Sequence, residues 1–78
     1  MAKTLYRYFK RKLKTYEILV QVDPENFNGT ELIVHPNGMI EKTEMEFDEE
    51  IFEDLAEDEF IHASALEFQM LLTKANGK

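Results

Sequence analysis

The stretch Thr15-Tyr16-Glu17-Ile18-Leu19-Val20-Gln21-Val22 decides the fold. Tyr16, Ile18, Val20 and Val22 alternate with Glu17, Leu19 and Gln21. A period of two in a run rich in β-branched residues sends successive side chains to opposite faces of an extended chain, so a half-buried strand is expected. It stops at Asp23-Pro24-Glu25-Asn26-Phe27-Asn28-Gly29. There Asp can cap and Pro can open a single helical turn, with Asn-Gly able to take positive φ at its end and Phe27 plugging the loop into the core.

Working forward, Glu31 to His35 reads as a second strand and Met39 to Phe47 as the strand that pairs back on it. Between them, His35-Pro36-Asn37-Gly38 suits a type I turn, with Pro at its second position and Gly accepting the left-handed conformation of a bulge. Strand signals then give way to helix signals. Asp48 is a good N-cap, Glu49 and Glu50 suit the first turn, and Phe47 could staple onto Phe52. Ile51, Phe52, Leu55 and Ala56 form a stripe at helical spacing, with Glu50, Glu53, Asp54, Glu57 and Asp58 on the far side. This helix should end near Asp58, because Glu59 would fall within the stripe. Ser64-Ala65-Leu66-Glu67 has the capping-box pattern and opens a second helix that runs to about Ala75, before Asn76-Gly77.

Working backward, Leu5, Phe9, Leu13 and Tyr16 would suit one helix face, but the composition of Thr4-Leu5-Tyr6-Arg7-Tyr8-Phe9 favours a strand, with a turn at Lys10 to Lys14. No repeat, linker or low-complexity tract divides the chain, so residues 1–78 read as one α+β domain. The expected architecture is an antiparallel sheet of three or four strands, in the order β-β-β-β-α-α, with both C-terminal helices packed on one face. On the sheet, Tyr16, Ile18, Val20, Leu32 and Val34 are expected on one side and Leu19, Ile33 and Ile40 on the other.

A chain of 78 residues with 44% hydrophobic content and six Phe has enough large apolar side chains for one core. Cysteine is absent, which excludes disulfides and thiolate zinc sites and fits a reducing cytoplasm. No apolar run matches a signal peptide or a membrane span.

The net charge of −7 is unevenly spread. Residues 1–16 carry six of the nine Lys and Arg and no acid, and the other 62 residues hold three bases against sixteen acids, a balance of −13.

Catalysis requires a nucleophile beside an oriented base, and this chain has one serine, already explained by the capping box, and two histidines far apart in sequence. His35 at a turn and His62 between two helices stand where imidazoles commonly make local hydrogen bonds. Glu41 to Glu59 holds eleven carboxylates, but Asp48-Glu49-Glu50-Ile51-Phe52-Glu53 lacks the glycine and alternate oxygen ligands of a calcium loop. No enzyme activity, cofactor or metal is expected.

What remains are surfaces. In the last helix Ala65, Phe68, Leu71, Leu72 and Ala75 make one apolar face, while Leu66 and Met70 point to the opposite side. These two residues, with the acidic face of Glu50, Glu53, Asp54, Glu57 and Asp58, are the candidate surfaces of a cytosolic protein–protein interaction module, with a homodimer as one expected form. The alternative is nucleic-acid binding by Arg7, Lys10, Arg11, Lys12 and Lys14, with Tyr6 and Tyr8 as stacking platforms. The acidic balance of the remaining chain opposes that alternative.

Overall fold

Short, specific turns string four strands of six or seven residues into a meander. The computed structural model describes residues 5–77. In chain order these form β1 (Arg7–Lys12), β2 (Glu17–Val22), β3 (Asn28–Val34), β4 (Ile40–Glu46), α1 (Ile51–Glu57), β5 (Ile61–His62) and α2 (Ala65–Gly77). The strands make one antiparallel sheet ordered β4-β3-β2-β1-β5. The α+β class and the four-stranded antiparallel meander are as expected.

Two strand boundaries differ from the sequence reading. β1 runs on through Lys10–Lys12, where a turn was expected, and the turn closes later with the Leu13 N–H donating to the Tyr16 carbonyl at 2.8 Å. That register sets Phe9 opposite Val20, so two large apolar side chains meet on one face. The expected start at Thr4 lies outside the described residues. β5 was not anticipated. It pairs Phe9 with His62 and Lys10 with Ile61, and two residues are too few to show a period.

The β3–β4 turn follows its sequence. The His35 N–H donates to Met39 O at 2.8 Å, the Gly38 N–H to His35 O at 3.0 Å, and Gly38 has φ of 92°. The β2–β3 turn is stranger. Asp23 accepts the Glu25 N–H on Oδ1 at 2.9 Å, but the positive φ of 64° falls on Phe27, while Asn28 and Gly29 already belong to β3. A bulky residue persists there only where its surroundings hold it, and the Phe27 ring packs into the core beside Phe52, centroids 6.4 Å apart. Gly29 supplies room rather than torsional freedom, since a Cβ on it would sit 1.9 Å from the Gln21 carbonyl oxygen.

The ladder registers assign the faces. Leu19 pairs with Leu32 and Val34 with Ile40, on the side that also carries Tyr8. Ile18 pairs with Ile33 and Val20 with Phe9, on the other. Alternation along each strand is as expected, but Leu32 and Val34 lie with Leu19 and Ile40, and Ile33 lies with Ile18. The observed pairing of Leu19 with Leu32 and Ile18 with Ile33 sets these faces, since a shift of one residue in register exchanges them.

The helices are placed accordingly. Ile51 and Leu55 of α1 cover Phe9, Val20 and Val22, whereas Phe68, Leu71 and Leu72 of α2 cover Leu19 and Leu32. In place of two helices on one face there is one helix on each, because both faces of β2 are apolar and each needs a cover.

Both ends of α1 have identifiable causes. Asp48 begins the turn two residues ahead of the helix, accepting the Glu50 N–H on Oδ1 at 3.0 Å and the Ile51 N–H on its carbonyl at 3.1 Å, and Glu50 occupies the N-cap position with no side-chain cap. Phe47 and Phe52 both pack on the α1 side of the core, but with Glu50 rather than Asp48 at the N-cap they do not hold the N′ and N4 positions of the expected staple. At the other end the Glu59 N–H donates to Ala56 O at 3.1 Å and the Phe60 N–H to Leu55 O at 2.9 Å, with Glu59 at φ of 67°. This is a Schellman motif with glutamate in the position that glycine favours.

Glu59→Gly should therefore stabilise the fold by about 0.5–1 kcal/mol, relief of the left-handed torsion outweighing the added chain entropy. Urea unfolding reads this directly, and a lower midpoint would show that the torsion carries no strain. Gly29→Ala should cost about 2 kcal/mol or more, because a methyl group is forced onto backbone. A midpoint unchanged from wild type would contradict the close approach of β2 and β3.

Candidate interaction surface

α2 starts where its sequence says it should. Ser64 Oγ accepts the Glu67 N–H at 3.0 Å and the Ser64 carbonyl accepts the Phe68 N–H at 3.3 Å. The Glu67 carboxylate does not return to Ser64; it accepts from Lys10 Nζ at 3.1 and 3.2 Å, joining α2 to β1. Both side chains are about one-third exposed, so this pair contributes at most about 1 kcal/mol, and its main effect is to fix the rotation of α2.

With Phe68 at 0% exposure facing the sheet, Leu66 and Met70 must face out, and they are 70% and 61% exposed. α1 cannot cover them from the opposite face of the sheet. They line an open groove with Leu71, whose rim includes Glu17, Thr73 and Lys74. A second groove follows the outer edge of β1 beyond β5, lined by Arg11, Lys12, Lys14, Glu59 and Ile61. Lys10 lines this second groove, and Glu17 and Glu67 line both, so the two form one continuous surface.

The predicted acidic face lies on the solvent side of α1, with Glu50, Glu53, Asp54, Glu57 and Asp58 all exposed. Among the described residues none of these five lies within 4.0 Å of a cationic group; the ion pairs are Lys10–Glu67, His35–Glu41 and Lys42–Glu44. The acidic helix and the basic hairpin thus do not neutralise each other within the described chain.

The residues named for nucleic-acid contact are divided by the sheet. Arg7 lies over Phe52, 4.9 Å from its centroid, on the α1 side. Tyr8 packs on Phe68 at 5.4 Å on the α2 side, and its hydroxyl accepts from Gln21 Nε2 at 3.2 Å. Arg11 alternates with Lys10 and Lys12 along β1, Lys14 lies in the turn, and Tyr6, 43% exposed, precedes the strand. Tyr8, Lys10 and Lys12 share the α2 face and Arg7 and Arg11 the other, and the Tyr8 ring is already engaged by Phe68.

Both histidines make local contacts. His35 Nε2 lies 3.5 Å from a Glu41 carboxylate oxygen without the alignment of a hydrogen bond, and His62 lies beside Phe9, centroids 5.1 Å apart. An open polar groove is lined by Tyr6, Asp23, Thr30 and Glu44, and on its wall the Thr30 hydroxyl donates to Glu44 at 3.1 Å. Among the described residues no three His, Asp or Glu side chains are placed to hold a metal ion, and no helix is long and apolar enough to cross a membrane. Compared with protein-family models, curated proteins and solved structures, the chain matches none.

Sequence periodicity alone found Leu66 and Met70. It missed the contribution of Leu71, Lys74 and Glu17, because the approach of Glu17 to α2 depends on which face α2 covers. If Leu66 and Met70 serve no internal packing, Leu66→Gln with Met70→Gln should leave the thermal midpoint within a few degrees, whereas Phe68→Ala should cost about 3–5 kcal/mol. A loss comparable to that of Phe68→Ala in the double variant would show that the flank is part of the core.

Proposed function

We propose that this chain is a non-enzymatic protein–protein interaction module whose contact surface is the outward flank of α2. The observation that carries the reading is the exposure of Leu66 and Met70, one helical turn apart on a helix that packs Phe68 and part of Leu71 and Leu72 onto the sheet. Two large apolar side chains held rigidly in water gain by burial about 25 cal/mol for each Å² of apolar surface removed from it, and a groove beside them gives a partner shape to fill. Methionine suits such a surface because its unbranched thioether adapts to different neighbours.

The Tyr8 ring packs on Phe68 and Arg7 lies over Phe52, so neither is free to stack on a base or meet a phosphate, which supports protein contact over a nucleic-acid grip. Sedimentation over a wide range of protein concentration separates self-association through this flank from contact with another protein.

Panning a random peptide library on the wild-type chain and on the Leu66→Gln, Met70→Gln variant tests the reading without a known partner. Peptides enriched on wild type should fail to bind the variant; enrichment of the same peptides on both would place the contact elsewhere. Titration with short single-stranded and duplex oligonucleotides at low salt should show no binding. Binding that weakens as salt rises would replace the protein-contact reading with the nucleic-acid one.

A further inference from the structure

The charges around the α2 groove specify what kind of partner fits it. On a chain of net charge −7, five of the nine Lys and Arg residues (Lys10, Arg11, Lys12, Lys14 and Lys74) line the two adjoining grooves. Lys10 is held by Glu67, but among the described residues Arg11, Lys12, Lys14 and Lys74 have no carboxylate within 4.0 Å. The same walls carry three acids, Glu17, Glu59 and Glu67, so the local balance is five cations against three anions on a molecule that is acidic as a whole.

The remaining carboxylates do not cancel this. Those of α1 lie over the opposite face of the sheet, and at physiological ionic strength exposed charges more than about 8 Å apart are largely screened. The groove that holds Leu66 and Met70 has Lys74 against Glu17 and Glu67, with Glu67 already held by Lys10, and the cations Arg11, Lys12 and Lys14, unpaired among the described residues, lie along the adjoining β1 groove. Those cations also argue against a second copy as occupant. Two α2 grooves facing each other antiparallel across a two-fold axis would set the Arg11, Lys12 and Lys14 end of one against the Lys74 end of the other, and like charges brought together in an interface oppose association.

We infer that the groove takes an acidic amphipathic segment of another protein. Its apolar side chains, spaced one helical turn apart, sit on Leu66, Met70 and Leu71. Its carboxylates meet Arg11, Lys12 and Lys14 toward the Glu67 end and Lys74 at the other. Glu67 and Lys74 are two turns of α2 apart, about 10 Å, so a docked helix would offer carboxylates about seven residues apart. This inference rests on the reading of the α2 flank as the contact surface.

Three synthetic helical peptides test it, identical in their leucines at i, i+4 and i+7 and carrying Glu, Gln or Lys at the remaining positions, with binding to the full chain followed by fluorescence anisotropy. The Glu peptide should bind about tenfold more tightly than the Gln peptide and the Lys peptide most weakly, with the spread shrinking as salt is raised. Lys12→Gln with Lys14→Gln should reduce the preference for Glu over Gln to about threefold or less. Leu66→Gln with Met70→Gln should abolish binding of all three.

Equal binding of the three peptides, lost in the Leu66→Gln, Met70→Gln variant, would overturn the acidic partner and leave the groove intact. Binding that survives in that variant would overturn both. Failure of every peptide to bind, with or without a dimer dispersed by the same two substitutions, also overturns the acidic partner.

Discussion

Leu19, Val20 and Val22 of β2 are buried at 0, 4 and 0% exposure although neighbours along a strand point to opposite sides of the sheet. A strand buried on both faces constrains everything around it. It must lie inside the sheet, with β1 and β3 as neighbours, and each face must be covered by a separate element. Burial of each such side chain contributes about 1.5–3 kcal/mol, so an uncovered face would leave a domain of this size without a sufficient core. The positions of α1, α2 and the aromatic residues Phe9, Phe52 and Phe68 all follow from this requirement.

One helix over each face also explains where unused surface is left. A short helix of seven residues, α1, commits Ile51 and Leu55 to the core and turns Glu53, Asp54, Ala56 and Glu57 outward. The longer α2 lies across β1, β2 and β4 and still has apolar side chains on its outer flank. The sheet separates the two outward surfaces, one acidic and featureless in apolar terms, the other apolar and bordered by cations. A chain whose total charge suggests one uniform acidic surface thus offers two unlike ones.

Most of the architecture was legible in the sequence because it is written in local patterns. The alternation through Ile18, Leu19, Val20, the turn at His35-Pro36-Asn37-Gly38, the end of α1 near Asp58 and the Ser64 cap each rest on chemistry within a few residues. Decisions between elements were not legible. Which faces Leu32 and Ile33 share depends on a register set by the Asp23–Asn28 turn, whose left-handed residue is Phe27, the last type expected there. The division of the helices between two faces follows from that register and from the two-sided burial of β2. The interaction surface was half legible for the same reason: Leu66 and Met70 announce themselves by helical spacing, whereas Glu17 and the hairpin cations join them only through the packing of α2.

β5 is the smallest element, and the chain changes sides at it, leaving α1 over one face, passing the edge of β1 and entering α2 over the other. Its two residues, with the Ala63 N–H bonded to Tyr8 O at 2.9 Å, occupy part of the edge that β1 would otherwise present to another strand. The opposite edge, β4, is guarded by the charges of Glu41, Lys42, Glu44 and Glu46. Detachment of α2 would therefore remove more than a cover. It would free the strap at β5 and uncover Leu19 and Leu32 beside a newly open edge, a combination prone to edge-to-edge aggregation.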